Sequence, residues 1–507
     1  MEAYVLEWLN LLVRIAHVVA AIMWIGDSFL FMWMDSHLSQ PEKPREGAVV
    51  GELWMTHSGG FYEVVKLKSL ARLPPQLYWF KWESYSTFIT GFFLISVVYY
   101  MGGRAMLVDV NSTLSQPAAV GISLGLLAGG VAVYHAICMT PLINNIRFFG
   151  VFGLVAIAGL TWGLGHVFTP RAVFLQVGAM LGTIMSSNVF FRIIPSQKEM
   201  LAATREGRPV DTSFGMRAKQ RSTHNHYLTF AVLFTMVSNH LPGMYGHEKA
   251  WLVLALVFVF SVGVKYFMNL RGRTDPLIMV GTLAALGAVL AMTAPVSSSA
   301  QMAELARGPA VSFATVQQIT QARCVTCHAA KPTNPAFNAP PSGVSLETPA
   351  ELHTHAARML VRAVHTKTMP LGNLTGMTDE ERALMGAWIA QGANVDAAGP
   401  SVVDAVAPTA GPAKVEDARS IYSNRCVICH GESGGGDGAA GASLNPKPRN
   451  FKDAQWQASV DDAHLEKVIL GGGPAVGKSA VMPGNPDLKD KKEILLDLVK
   501  LVRGFRQ

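Results

Sequence analysis

The sequence predicts a mainly α protein: a polytopic membrane helix bundle of about eight spans, followed by two small helical domains. Three observations carry this reading. Of the 507 residues, 50 % are hydrophobic and 15 % charged, well below the ~25 % charge of an average soluble domain. Eight stretches, near 9–34, 84–101, 119–138, 148–168, 171–191, 225–241, 250–270 and 276–294, are apolar over about the 20 residues a bilayer crossing needs. Beyond residue 295 the motif C-x-x-C-H occurs twice, as "CVTCH" at 324–328 and "CVICH" at 426–430.

C-x-x-C-H is the attachment signature of c-type haem: two thiols add to the haem vinyl groups and the adjacent His lies beneath the iron. Four of the five cysteines, Cys324, Cys327, Cys426 and Cys429, lie in the two motifs, and no second Cys pair near either closes a zinc site. His328 and His430 are the expected fifth ligands. Met369 in "KTMPLGN" and Met482 in "AVMPGNP" are the expected sixth ligands, each before a proline downstream of its motif. His353, His355 and His365 are fallback ligands in the first domain. Both tails resemble class I cytochromes c. The second has the helix "EDARSIYSNRCVICHG", a glycine- and proline-rich loop, "GGGDGAAGASLNPKPRNF", and the closing helix "KKEILLDLVKLVRGF", apolar at helical spacing. The expected organisation is a membrane domain at 1–295, two small class I cytochrome c domains at 311–394 and 415–507, and a linker at 395–414. The linker is rich in Ala, Pro, Gly and Val, a flexible composition. Two covalently bound haem c groups follow.

Glu2 and Glu7 stand where a cleaved signal peptide would carry positive charge, so the first apolar stretch is expected to remain as a span. The loops after spans 1, 3, 5 and 7 hold roughly six, one, seven and two Lys and Arg, against about one in each of the others. The positive-inside rule therefore puts both termini outside the cytoplasm. Haem is attached to c-type cytochromes on the periplasmic face, which gives the same topology. The expected location is the bacterial inner membrane, with the haem c domains periplasmic and the lipid bilayer as a partner. The net charge of +7 lies in membrane-flanking loops, and no nucleic-acid partner is expected.

Ionisable groups inside a membrane are costly and usually functional. "VRIAHVVAAIMWIGDSF" places Arg14, His17 and Trp24 on one helical stripe, with Asp27 at its edge. His17, Trp24 and Gly26 form H-x6-W-x-G, which resembles the first helix of small haem-binding membrane families, including membrane protoporphyrinogen oxidases. His17, His166 and His240 fall at one depth and His135, His224 and His226 at another. Paired imidazoles hold membrane b-type haem, so His17, His135, His166, His226 and His240 are candidate ligands for one. The loop at 36–83 mixes Trp54, Phe61, Tyr62, Tyr78, Trp79 and Trp82 with Lys66, Lys68, Arg72 and Lys81. It reads either as an interfacial segment or as a site for a flat anion, stacked on aromatics and neutralised by cations. His57 or Glu63 would take a proton there.

Residues 1 to about 395 resemble the bacterial membrane-bound, cytochrome-c-linked urate oxidases. The resemblance rests on "RIAHVVAAIMWIGDSFLFMWMD", "HSGGFYEV", "LYWFKWESYSTFITG", "SNVFFRIIPSQ" and "RSTHNHYLTFAVLFTMVSNH". It implies oxidation of urate to 5-hydroxyisourate with water as the oxygen source. Electrons would pass through haem c to a periplasmic or membrane-bound respiratory acceptor, such as a cytochrome c oxidase. The second cytochrome domain is additional to the family's one-haem pattern. Arg14, His17, Trp24, Asp27 and His57 are the catalytic candidates in this reading. The rival reading is a quinol-to-cytochrome c electron-transfer protein without urate chemistry. A haem–copper type reductase is disfavoured, because no His-His pair occurs. A mere anchor is disfavoured too, since one span would suffice for it.

Overall fold

The computed structural model describes residues 2–42, 49–70, 73–109, 111–269, 275–294, 299–334, 337–397, 418–438, 446–479, 482, 484–485, 488–489 and 491–505. They form two compact units, Met1–Val402 and Val403–Gln507. The linker expected at 395–414 lies, from residue 398 on, outside the described residues.

Among the described residues nine long helices build the first part of unit one: α1 (Glu2–His37), α2 (Trp82–Ile95), α3 (Gln116–Ile137), α4 (Ile146–Leu164), α5 (Pro170–Asn188), α6 (Ile194–Arg205), α7 (Thr212–Val237), α8 (Ala250–Asn269) and α9 (Pro276–Thr293). Each of the eight apolar stretches is helical. Five segments are long and apolar enough to cross a membrane: Val5–His37, Gln116–Ile137, Pro170–Arg205, Ala250–Asn269 and Pro276–Thr293. Caps set their starts. Ser115, Asn145, Thr169 and Asp211 each accept a backbone N–H of the following turn at α3, α4, α5 and α7, satisfying donors that a helix start leaves free. α7 starts well before the apolar stretch at 225–241, because its polar first turns, "TSFGMRAKQRSTHNH", are capped by Asp211 and made largely of helix-compatible residues.

α5 is the central post. Val173, Phe174, Val177, Leu181 and Ile184 are buried among Leu107, Phe168, Leu254 and Phe258. The outer helices turn large apolar side chains outward, such as Leu12, Ile15, Val19 and Ile22 on α1 and Leu277, Val280, Leu283 and Leu290 on α9. An apolar exterior of that extent suits lipid rather than water. Glycine lets helices close up where a side chain could not enter. A Cβ on Gly178 would lie 1.9 Å from Thr235 Oγ1, and one on Gly263 1.9 Å from Thr282 Oγ1, the small-residue contact common between membrane helices. Some polar groups inside the bundle are paired: Tyr100 Oη meets Ser123 Oγ at 2.6 Å, and Ser123 Oγ donates to Gln176 Oε1 at 2.7 Å.

The loop at 36–83 is not simply irregular. Residues Val49–His57 (β1) and Gly60–Leu67 (β2) pair antiparallel around Ser58 and Gly59. Both turn residues have positive φ, 50° and 77°, which matches the twist a two-residue hairpin needs. The aromatics and cations of this loop suit an interfacial or ligand-binding segment, and they do not by themselves announce strand pairing.

The rest of unit one is the first small domain. Its helices α10 (Phe313–Arg323), α11 (Pro349–Met359) and α12 (Asp379–Ala390) enclose Val316, Ile319, Leu352, Met385 and Trp388. Ser312 caps α10, and reciprocal capping boxes start α11 (Thr348/Glu351) and α12 (Thr378/Glu381). The domain rests on the bundle at two places. The turn Leu371–Asn373 meets the short helix Arg104–Leu107, and Leu360–His365 meets Pro242–Tyr245. Glycine again permits the approach: a Cβ on Gly246 would lie 2.7 Å from Thr366 Cβ, and one on Gly372 3.2 Å from Ala105 Cβ. Gly246→Val is therefore expected to weaken this seating by ~1–3 kcal/mol, the usual cost of overpacking. Faster hydrogen exchange over residues 366–374 would register it, and unchanged exchange would show that the contact bears no such strain.

Unit two is small and helical. Helices α13 (Asp462–Gly471) and α14 (Lys492–Gly504) close over Ile421, Tyr422, Phe451, Leu465 and Leu488. α14 is strongly amphipathic and buries Leu495, Leu498, Val499 and Val502, spaced for one helical face.

Candidate functional site

A cavity of about 670 Å³ opens where α1, α2 and the α5–α7 segment meet the end of the hairpin. From α1 come Trp24, Asp27 and Phe31. The connection after β2 supplies Leu67–Leu70 and Leu77–Phe80, and α2 supplies Glu83. Met185, Val189, Gln197 and Leu201 form one side, and Ser222, Asn225, His226 and Thr229 of α7 the other. This wall is mainly apolar, aliphatic and aromatic, with some polar groups, as small-molecule sites usually are. Asp27 and Glu83 lie close enough for their charges to interact. Glu83 Oε2 is buried with no hydrogen-bond partner. Asp35, also on the wall, is paired with Lys66 at 2.5 Å. Asn225 is held from behind: its Nδ2 donates to Met185 O at 2.9 Å and its Oδ1 accepts from Asn188 Nδ2 at 2.9 Å.

Of the catalytic candidates, Trp24 and Asp27 are on this wall; Arg14, His17 and His57 are not. Arg14 donates to Asn10 Oδ1 at 2.9 Å. His17 Nδ1 donates to Thr87 O at 3.1 Å, and its ring faces Gly91, whose Cβ position is 2.9 Å from the imidazole Cε1. His57 is at the exposed hairpin tip, beside Ser58 Oγ at 2.8 Å. Tyr78, Trp79, Phe80 and Lys68 join the wall, whereas Trp54, Phe61 and Tyr62 are exposed; Arg72 lies outside the described residues. Sequence reasoning passed over Glu83, Gln197 and Asn225 as site residues, since none has a local signature.

The histidines considered for b-type haem are spread out. Arg192 Nε donates to His135 Nε2 at 2.7 Å, Tyr134 Oη bonds His224 Nδ1 at 2.8 Å, and His166 Nδ1 donates to Trp162 O of its own helix at 3.0 Å. His226 is on the cavity wall, 3.4 Å from Ser222 Oγ. His240 ends the turn after α7, next to Asn239, whose Oδ1 takes Arg171 Nε at 2.9 Å. No group of three His, Cys, Asp or Glu side chains converges among the described residues.

The two C-x-x-C-H sites share one local design. α10 ends at Cys324, and the chain tightens so that His328 N donates to Cys324 O at 2.9 Å. His328 Nδ1 donates to Val344 O at 2.9 Å. In unit two, Cys426 passes into the short helix Val427–His430, and His430 Nδ1 donates to Arg449 O at 3.1 Å. The His430 ring also stacks on Phe451, with centroids 4.3 Å apart. In each case a backbone carbonyl fixes the imidazole and leaves Nε2 for another partner, the arrangement of a ligating histidine. None of the four motif cysteines forms a disulfide among the described residues. Burial pushes the Cys324 thiol up to about 12 and the Cys426 thiol up to about 11. Burial also holds both imidazoles below their ordinary value, hence neutral at pH 7. Thiols beside an oriented neutral imidazole fit haem c. Buried Arg382 donates to Met369 O at 2.7 Å and to Asn373 Oδ1 at 3.2 Å, fixing the Met369 loop. In unit two, Met482 O accepts from Gly473 N at 3.0 Å; Pro483 lies outside the described residues.

An apolar helical bundle joined to a domain with this thiol and imidazole chemistry defines a membrane redox protein that carries c-type haem. The family model described as Urate oxidase N-terminal matches residues 3–296, and a cytochrome c model matches residues 415–498. The chain belongs to the urate oxidase N-terminal family. Its cytochrome c domain implies covalently bound haem c. No curated protein and no solved structure matches it.

Proposed function

We propose that the protein oxidises urate to 5-hydroxyisourate in the 670 Å³ cavity, and that its haems drain the electrons to a respiratory acceptor. Urate and water give 5-hydroxyisourate, two protons and two electrons. The observation that carries this is a largely apolar cavity, with aromatic side chains and the carboxylates of Asp27 and Glu83 on its wall, inside the 3–296 segment that defines the family. Trp24, Phe31 and Trp79 offer faces to a flat heterocycle. Asn225 and Gln197 offer amides to its ring edges, and Lys68 a counter-charge. Asp27 and Glu83 are the proton acceptors, within a wall of low polarity where a carboxylate serves well as base. The cavity is bounded by the loops richest in Lys and Arg, so urate arrives from the cytoplasmic side under the charge rule.

Two haem c groups are assigned: Cys324, Cys327, His328 and Met369 hold the first, and Cys426, Cys429, His430 and Met482 the second. Bound haem accepts one electron at a time, so two haems match the two electrons of one turnover. Thr229 on the cavity wall and Pro242, under the first small domain, are roughly 20 Å apart at 1.5 Å per helical residue. Aromatic side chains such as buried Tyr99 and Tyr245 lie in the core between α1, α5 and that end of the bundle.

Anaerobic mixing of urate with oxidised protein tests the reading. The haem bands are expected to shift to the reduced form within turnover times, without oxygen. Reduction by a quinol with no response to urate would overturn it in favour of a quinol-to-cytochrome c role. A pyridine haemochrome spectrum of the same sample reports any b-type haem beside the c-type.

A further inference from the structure

Lys265 is the only charged residue in α8 (Ala250–Asn269), and neither the haem sites nor the cavity chemistry above uses it. It is fully buried. Its Nζ has no hydrogen-bond partner among the described residues. Instead it lies 3.8 Å from the centroid of Phe29 and 5.4 Å from that of Phe230, and those rings pack edge to face at 5.6 Å. Two aromatic faces return only part of what an ammonium loses on leaving water. A buried charge of this kind is kept where an opposite charge meets it.

Among the described residues no carboxylate pairs with Lys265, but the cavity is next door. Phe29 follows Ser28 and Phe230 follows Thr229, both wall residues; His226, one turn earlier on α7, is on the wall and within reach of the Lys265 charge. The wall itself is poorly suited to an anion. Asp27 and Glu83 contribute negative charge, Asp35 is already matched by Lys66, and Lys68 is the lysine left on the wall.

We propose that Lys265 supplies the fixed positive charge that makes this cavity an anion site, holding a flat monoanionic heterocycle through its field from behind the Phe29–Phe230 pair. It is a positioning residue, acting across His226 rather than by touching the reacting atoms. Low polarity around it lets one charge act across several ångströms. This inference rests on the urate reading and adds a charge requirement to it: the site selects the anion over a neutral purine of similar shape.

The test uses the full haem-loaded protein, reduced with dithionite so that bound urate is not consumed, and measures urate binding by equilibrium dialysis. Lys265→Met is expected to weaken urate binding at least tenfold while leaving haem content, reduced spectrum and hypoxanthine binding unchanged. Lys265→Arg should stay within about threefold of the parent, since it keeps the charge. Parental urate affinity in the Lys265→Met protein overturns the assignment and leaves the lysine as a packing element. If Lys265→Met does not fold, competition in the parent decides. Xanthine, at a pH where it is the monoanion, should displace urate at least ten times better than neutral hypoxanthine, and equal displacement overturns the proposal. Urate that reduces the parent's haems but binds Lys265→Met undiminished sinks only the lysine assignment. Urate that neither binds nor reduces the parent sinks both readings.

Discussion

Replacing Cys426 and Cys429 together by alanine is expected to remove one of the two covalently held haems proposed above. Each C-x-x-C-H pair forms its own thioether bonds, and the motifs lie in separate compact units, so loss at one site leaves the other intact. His430 remains fixed by Arg449 O and Phe451, but a single axial imidazole without thioethers would not keep haem through acid–acetone extraction. The consequence for unit two is large. Its apolar core is a modest cluster around Ile421, Tyr422, Phe451, Leu465 and Leu498, and a domain of this size depends on its cofactor to fill the interior. Mass spectrometry of the extracted protein should show one haem adduct, and unit two should become protease-sensitive. Urate should still reduce the remaining haem, while transfer to an external acceptor slows. An undiminished haem count would refute the assignment of the second site.

The second large effect is at the cavity. Glu83→Gln is expected to slow urate-driven haem reduction by ~10²–10⁴-fold, the usual contribution of a general base. The amide keeps the size of the side chain and removes its proton affinity. Glu83 is preferred over Asp27 as principal base because its Oε2 is buried and unpartnered on the wall. Asp27→Asn should slow the reaction less, through loss of the neighbouring charge. Stopped-flow absorbance of the haem bands reads both, and reduction by dithionite must stay normal in each variant. A Glu83→Gln protein reduced by urate at the parental rate would remove Glu83 from the chemistry.

The proposed haem sites stand out in the sequence because thioether chemistry needs Cys, Cys and His contiguous in the chain. The carbonyls that orient the imidazoles, Val344 O and Arg449 O, had no such signature, because any residue can supply a carbonyl. Apolar runs marked the helices, and within one of them the ionisable Asp27 and the stripe that carries Trp24 pointed to two residues that are on the cavity wall. The same logic selected Arg14 and His17, which lie on the same helix away from the wall; His17 is bonded to α2 instead. Its partners, Thr87 and Gly91, are far away in sequence, and nothing local announces that pairing. Glu83, Gln197 and Asn225 come from three segments that converge only in the folded bundle. Lys265 stood in plain view as a lone charge in an apolar helix, but its meaning depends on the unpaired Nζ behind the wall. Hairpin pairing was masked by aromatics and lysines that suit an interfacial segment equally well.

The glycines beneath the first small domain have a consequence for how such proteins can be rebuilt. Gly246 and Gly372 leave no room for a methyl group against Thr366 and Ala105 without adjustment, so the matching surfaces fit by what is missing from each. A cytochrome transplanted from elsewhere would have to bring a gap of the same outline, or meet the bundle with its prosthetic group held farther off. Because electron tunnelling falls steeply with separation, a chimaera could keep every ligand and every wall residue and still turn over slowly.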